Sequence, residues 1–126
     1  MDNFFEEITM SLEILNPYND ESITFRGIVL NWFMEGSNPE GLEQLLFYQA
    51  VQGQGTGNMG NKYFFAGIAS EIINLNPREI EAAEVVAMNK VISEDPAPGF
   101  TLVIKNEITI NPNGDIITDT NFYSGY

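Results

Sequence analysis

The tetrapeptide Asn111-Pro112-Asn113-Gly114 constrains the fold more than any other feature of the sequence. Proline fixes the backbone angle φ, and Asn-Gly tolerates the positive φ that a tight hairpin turn requires. The run FTLVIKNEITI precedes this turn and DIITDT follows it, and both runs are rich in β-branched residues. The C-terminal part of the chain is therefore predicted to form a β-hairpin.

The N-terminal part of the chain predicts a second hairpin. Apolar residues occupy every second position from Ile8 to Ile14, which is the period of a half-buried strand. The segment NPYNDES is dense in turn-forming residues, and the following run ITFRGIVLNWF is again β-branched and aromatic. A hairpin with a long loop follows from this pattern.

Three helices are predicted between the two hairpins. Ser37-Asn38-Pro39-Glu40 has the form of a capping box ahead of GLEQLLFYQAV, Asn61 is a candidate N-cap for KYFFAGIASEIINL, and Asn76-Pro77 opens PREIEAAEVVAMNKVI. The expected fold class is α+β: a small antiparallel sheet from the N-terminal and C-terminal hairpins, with about three helices packed on one face. No linker divides the chain, so residues 1–126 are expected to form a single domain.

A glycine-rich segment at 53–61 lies between the first two predicted helices. Gly55, Gly57 and Gly60 have the spacing G-x-G-x-x-G, which in dinucleotide-binding proteins follows a strand and opens a helix. Here the preceding segment is predicted to be helical, so we expect an interhelical loop without a phosphate. Such a loop is adaptable, and we expect it to contact a partner subunit.

The absence of cysteine and histidine removes most catalytic chemistry. The chain has no thiolate nucleophile, no imidazole base and no zinc ligands of the usual kind. We therefore expect a protein that is not an enzyme, without a catalytic site, cofactor or metal.

The charge balance limits the partners. The chain has 18 acidic and 5 basic residues, for a net charge of −13, and such a surface repels nucleic-acid phosphates and anionic lipids. We expect protein partners in a homo- or hetero-oligomer, and no direct contact with nucleic acid or membrane. The N-terminus is acidic and no apolar run reaches the length of a membrane span. The expected location is the cytoplasm or a particle assembled inside the cell.

Apolar and aromatic residues exceed what one small core needs. The first two predicted helices are apolar nearly all round, and the C-terminal segment 121–126 carries three aromatic residues, which suits a docking tail. Two alternatives remain open. The protein's own sheet and third helix could cover these apolar residues completely, and the C-terminal segment could fold back onto the protein's own sheet. The predicted partner interface consists of Phe47, Tyr48, Gly55, Gly57, Phe64, Phe65, Phe122, Tyr123 and Tyr126.

Two functions are compatible with these features. The first is a non-enzymatic structural or interaction subunit of a larger assembly, of which a virus-particle component is one concrete form. The alternative is an acidic protein that mimics nucleic acid and blocks the basic channel of a nucleic-acid-binding protein. Its predicted acidic surface consists of Glu35, Glu40, Glu43, Glu79, Glu81 and Glu84.

Overall fold

The computed structural model describes residues 3–75 and 80–125. These residues form seven strands: β1 (Phe4–Leu15), β2 (Ser22–Ser37), β3 (Glu43–Gly57), β4 (Lys62–Asn74), β5 (Glu81–Ser93), β6 (Phe100–Ile110) and β7 (Ile116–Gly125). Each strand pairs antiparallel with the next one in the chain. The described residues contain no helix, and the fold is an all-β, nearly closed barrel.

The barrel has two parts, which we call the front sheet (β1–β4) and the back sheet (β5–β7). The two sheets are joined at one end of β4 and β5, where only Tyr63 and Ser93 and then Phe64 and Ile92 are paired. Beyond these pairs β4 and β5 separate. Within the described residues, β1 and β7 approach each other without forming a paired ladder.

Alternating side chains from both sheets fill the interior. Every second residue of a strand points inward, and the buried apolar residues form two clusters, one toward each end of the barrel. The first contains Met10, Ile14, Ile23, Phe25, Val29, Val51, Tyr63, Phe65, Val91, Phe100, Leu102 and Ile104. The second contains Phe33, Leu45, Phe47, Ile73, Val85, Ile108 and Ile110.

The hairpin turns confirm the prediction at Asn111–Gly114. Gly114 has φ of 91°, and its backbone N–H donates to the carbonyl of Asn111. The β2–β3 turn repeats this geometry with Gly41 at φ of 85° and a hydrogen bond to the carbonyl of Asn38. The four strands predicted from the two terminal hairpins correspond to β1, β2, β6 and β7.

The α+β prediction is wrong, because the three segments predicted as helices are strands β3, β4 and β5. Ser37–Glu40 does not cap a helix: the side-chain carbonyl of Asn38 accepts hydrogen bonds from the backbone of Glu40 and Leu42 and closes a hairpin turn. Strands β3 and β4 carry apolar residues on both faces, which is the physical reason that their pattern resembled an all-round apolar helix. Asn76-Pro77 lies outside the described residues.

The prediction of an interhelical loop at 53–61 is wrong. Residues 53–57 belong to strand β3, and a turn connects this strand to β4. Gly57 faces the interior, where a Cβ atom would lie 2.2 Å from the carboxylate of Glu21. The absence of a side chain at Gly57 therefore leaves space for the buried carboxylate of Glu21.

Candidate interaction surface

Three aromatic side chains form a ladder across the outside of the front sheet. The strand register places Phe5 opposite Trp32 and Trp32 opposite Tyr48. The ring centroids lie 5.0 Å apart in the first pair and 5.2 Å apart in the second. Trp32 is half-buried on the outer face.

Aliphatic residues continue this apolar surface on both sides of the ladder. Leu30, Ala50 and Ile68 form the neighbouring row on one side, and Met34, Leu46 and Ile72 form the row on the other. We call the whole set the outer patch: Phe5, Leu30, Trp32, Met34, Leu46, Tyr48, Ala50, Ile68 and Ile72.

The outer patch exposes an apolar area similar to that of the largest patch on a typical monomer. Phe5 is 51% exposed, Met34 40%, Ile68 69% and Ile72 59%. If a large side chain carries on the order of 200 Å² of surface, these four residues alone expose roughly 400 Å². The largest apolar patch on a typical monomer is about 300–600 Å², and such patches are often functional.

The open seam between β4 and β5 extends the exposed apolar surface toward the back sheet. Val86 and Met88 on β5 are exposed, as are the patch residues on β4. Asn89 lies in this seam against Gly67, and its buried side-chain nitrogen lacks a hydrogen-bond partner within the described residues. Unpaired edges flanked by apolar side chains are typical contact sites for other chains.

The structure separates the predicted interface residues of β3 and β4 into two groups. Tyr48 and Phe64 are half-buried on the outer side of the front sheet. Phe47 and Phe65 point into the interior and belong to the two apolar clusters, because they have the opposite parity along their strands. Gly55 lies on β3 with its face toward the interior, as Gly57 does.

The C-terminal segment is part of the barrel as far as Gly125. It pairs with β6, so Phe122 packs on the first apolar cluster and Tyr123 points outward and is exposed. Tyr126 lies outside the described residues. Contact of Tyr123 with a partner stays a prediction.

The acidic residues of the alternative function lie on two hairpin arms. Glu35, Glu40 and Glu43 lie on the β2–β3 hairpin, and Glu81 and Glu84 lie on β5. Glu84 forms an ion pair with Lys105 at 3.3 Å. Glu79 lies outside the described residues.

Sequence reasoning missed most of the outer patch, including Phe5, Met34, Ile68 and Ile72. The available signal was the apolar character of both alternating positions in β3 and β4. An apolar run of this kind is compatible with a strand buried on both faces as well as with a helix.

A buried carboxylate ties together the turns at one end of the barrel. Glu21 has no exposed surface, and its carboxylate accepts hydrogen bonds from the Tyr63 hydroxyl, the Asn61 side chain at 2.9 Å and the Met59 backbone at 2.7 Å. The Asn16 side chain donates to the Tyr63 oxygen and to the carbonyl of Pro98. We call Asn16, Glu21, Asn61 and Tyr63 the Glu21 cluster.

These contacts set the protonation of the Glu21 cluster. Burial acts to raise the pKa of Glu21, but the hydrogen bonds from Tyr63, Asn61 and Met59 outweigh it and hold this pKa below the ordinary 4.5. Burial raises the pKa of Tyr63, and its hydrogen bond to Glu21 adds to the shift. The pair is therefore carboxylate and phenol at neutral pH, and it connects three turns of the barrel.

A layer of side-chain amides separates the two apolar clusters. Gln49 donates to Asn31 and Asn106 at 2.9 Å each, and Asn106 donates back to Gln49 at 3.0 Å. Glu6 accepts from Asn31, and the Thr120 hydroxyl donates to Asn106. This amide layer is consistent with the rule that buried polar groups need hydrogen-bond partners.

Neither a metal site nor a membrane-spanning helix is present in the described residues, and no comparison identified a related protein. The described residues contain no group of three or more acidic side chains arranged to hold a metal ion. No helix in the described ranges has the length and apolarity to cross a membrane. No protein-family model matches the sequence, and neither curated proteins nor solved structures include a significant match.

Proposed function

We propose that the protein is a non-enzymatic interaction subunit that self-associates through the outer patch. The observation that carries this proposal is the apolar face around the Phe5–Trp32–Tyr48 ladder in a chain of net charge −13, with the Glu7 carboxylate at its rim opposite Leu30. Like-charged copies repel each other, so they associate best where their surfaces lack carboxylates. The virus-particle form of this function stays a prediction.

A second copy is the occupant that best fits the apolar composition of the patch. Apolar sheet faces pack on each other about 10 Å apart, with side chains interdigitating. A two-fold axis would bring the same patch from each subunit together. A standard interface buries about 800 Å² per partner, which is more than the four most exposed patch residues provide. The remaining area would come from the half-buried patch residues and from the rim of the sheet.

The test is the solution mass measured by light scattering at low and at moderate salt. We expect a dimer, with twice the 14.1 kDa chain mass, that becomes tighter as salt increases, because salt screens the repulsion between two acidic chains. The double variant Phe5→Ser/Met34→Ser should dissociate. The matched control is Ile117→Ser on β7, which removes a 58% exposed apolar residue away from the patch.

The same salt series separates this proposal from the acidic mimic. Binding of an acidic surface to a basic channel weakens steeply with salt, whereas association through the outer patch strengthens. A monomer at all salt concentrations and at high protein concentration would contradict self-association.

A further inference from the structure

A groove crosses the outer side of β2, β3 and β4 near the β3–β4 turn. Even-numbered residues of these strands point outward, and the register brings six of them into two adjacent rows. The groove has a volume of about 640 Å³, within the range of about 300–1,000 Å³ that small-molecule pockets occupy. The rows are Arg26, Gln54 and Phe64, then Thr24, Thr56 and Lys62.

A glycine in β2 brings the backbones of β2 and β3 close together beside the groove. Gly27 lies so close to β3 that a Cβ atom would be 2.0 Å from the carbonyl oxygen of Gln52. Glycine within a strand allows the backbone to bend and another backbone to approach closely.

The groove holds two cations that have no ion-pair partner among the described residues. In the described ranges, no carboxylate lies within 4 Å of the Arg26 guanidinium or the Lys62 ammonium group. The neighbours of Arg26 across the sheet are Ser11 and Gln54, which are neutral. Lys105, by contrast, pairs with two glutamates at 3.3 and 3.4 Å. Lys90 likewise has no ion-pair partner within the described residues, so what distinguishes Arg26 and Lys62 is their position in one groove, on β2 and β4 on either side of β3.

One end of the groove is polar and the other is apolar. A second cavity of about 450 Å³ shares Arg26, Gln54 and Phe64 with the first and continues along Ile28 and Ala66. Hydroxyl groups of Thr24 and Thr56 line the end near Lys62. The groove therefore offers hydrogen-bond donors and positive charge at one end and a hydrocarbon surface at the other.

We propose that this groove binds a small amphipathic carboxylate, with its head group between Arg26 and Lys62 and its apolar chain along Phe64 and Ile28. Arginine binds carboxylates with two parallel hydrogen bonds. Glu94 lines the groove, and the Asp95 carboxylate accepts a hydrogen bond from the Lys62 backbone at 2.8 Å, so the acidic residues around the two cations favour a ligand with no more than one negative charge. A more highly charged ligand would be repelled by the remaining acidic surface.

Sodium octanoate is the probe, and isothermal titration calorimetry of the full chain at low salt is the assay. We expect saturable binding of one octanoate per chain, in the range of about 0.1–1 mM. Octan-1-ol and octylamine should bind at least about tenfold more weakly, because they lack the charge that the two cations recognise. Acetate should show no saturation, because it lacks the apolar chain.

Variants assign the binding to the groove. Arg26→Gln and, independently, the exposed Lys62→Gln should each weaken octanoate binding about tenfold or more. Lys90→Gln, on β5 outside the groove, removes the same charge and should leave binding unchanged. Three results would overturn the proposal: no saturable octanoate binding, equal binding of octan-1-ol, or the same weakening in Lys90→Gln as in Lys62→Gln.

Discussion

Replacing Tyr63 with phenylalanine removes one hydroxyl group from the centre of the Glu21 cluster. The change deletes a hydrogen bond to a buried carboxylate and one of the two acceptors of the Asn16 side chain. The ring itself, which packs against Phe100, is retained. A hydrogen bond to a charged group contributes about 1.5–3 kcal/mol, so we expect the free energy of unfolding to fall by about 2 kcal/mol. Urea unfolding at pH 7 measures this loss.

The pH dependence gives a second readout of the same cluster. The pKa of Glu21 is lowered in the folded protein, so ionised Glu21 stabilises the fold above its unfolded pKa. This stability is lost as the pH falls from about the ordinary value of 4.5 through the lower folded pKa. The side chain of the Glu21→Gln variant cannot ionise. Its amide NH₂ is a hydrogen-bond donor and would face the donors of Asn61 and Met59. The stability difference between wild type and Glu21→Gln should therefore shrink as the pH falls through this window.

Glu94→Gln is the matched control, because it removes an exposed carboxylate near the same end of the barrel. Its stability difference from wild type should stay within about 0.5 kcal/mol at pH 7. The reasoning fails if Tyr63→Phe is as stable as Glu94→Gln. It also fails if the difference between wild type and Glu21→Gln does not change between pH 6 and the acid limit of folding.

Two further substitutions test the interior by urea unfolding. Gly57→Ala should lose about 2 kcal/mol because the new Cβ would overlap the Glu21 carboxylate, whereas Gly36→Ala, with open space around it, should be nearly neutral. Gln49→Leu should lose about 2–4 kcal/mol because it leaves buried amides of the amide layer without partners. Gln52→Leu, on the exposed face of the same strand, should lose less than about 0.5 kcal/mol, and equal losses for the two glutamines would contradict the role of the amide layer.

The turns were the part of the fold that the sequence predicted best. Asn111–Gly114 was correctly predicted as a hairpin turn because its residue types permit few other conformations. Asn38-Pro39-Glu40-Gly41 has nearly the same composition and forms the same kind of turn, yet it also fits a capping box. A comparison of these two tetrapeptides would have favoured a strand after Gly41.

The candidate surface was predicted only in part. The excess of apolar residues in 42–51 and 63–75 was visible in the sequence, and it led to Tyr48 and Phe64 on the outside of the front sheet. The same reasoning included Phe47 and Phe65, which the structure places in the interior. In a strand, successive side chains point to opposite faces, so Phe47 and Phe65 point inward while Tyr48 and Phe64 point outward. A helix has a different period, so the helical interpretation could not separate these neighbours.

Local residue chemistry alone determined the terminal hairpins, the absence of thiol and imidazole chemistry, and the strongly acidic surface. Only the tertiary structure decided that the middle of the chain forms strands, because an apolar run satisfies a helix or a doubly covered strand equally well until its partners are known. Tertiary structure also brought Glu21 to Tyr63, 42 residues apart, and Gln49 to Asn106, 57 residues apart. Such contacts depend on strand order and register, which no local segment of the sequence specifies.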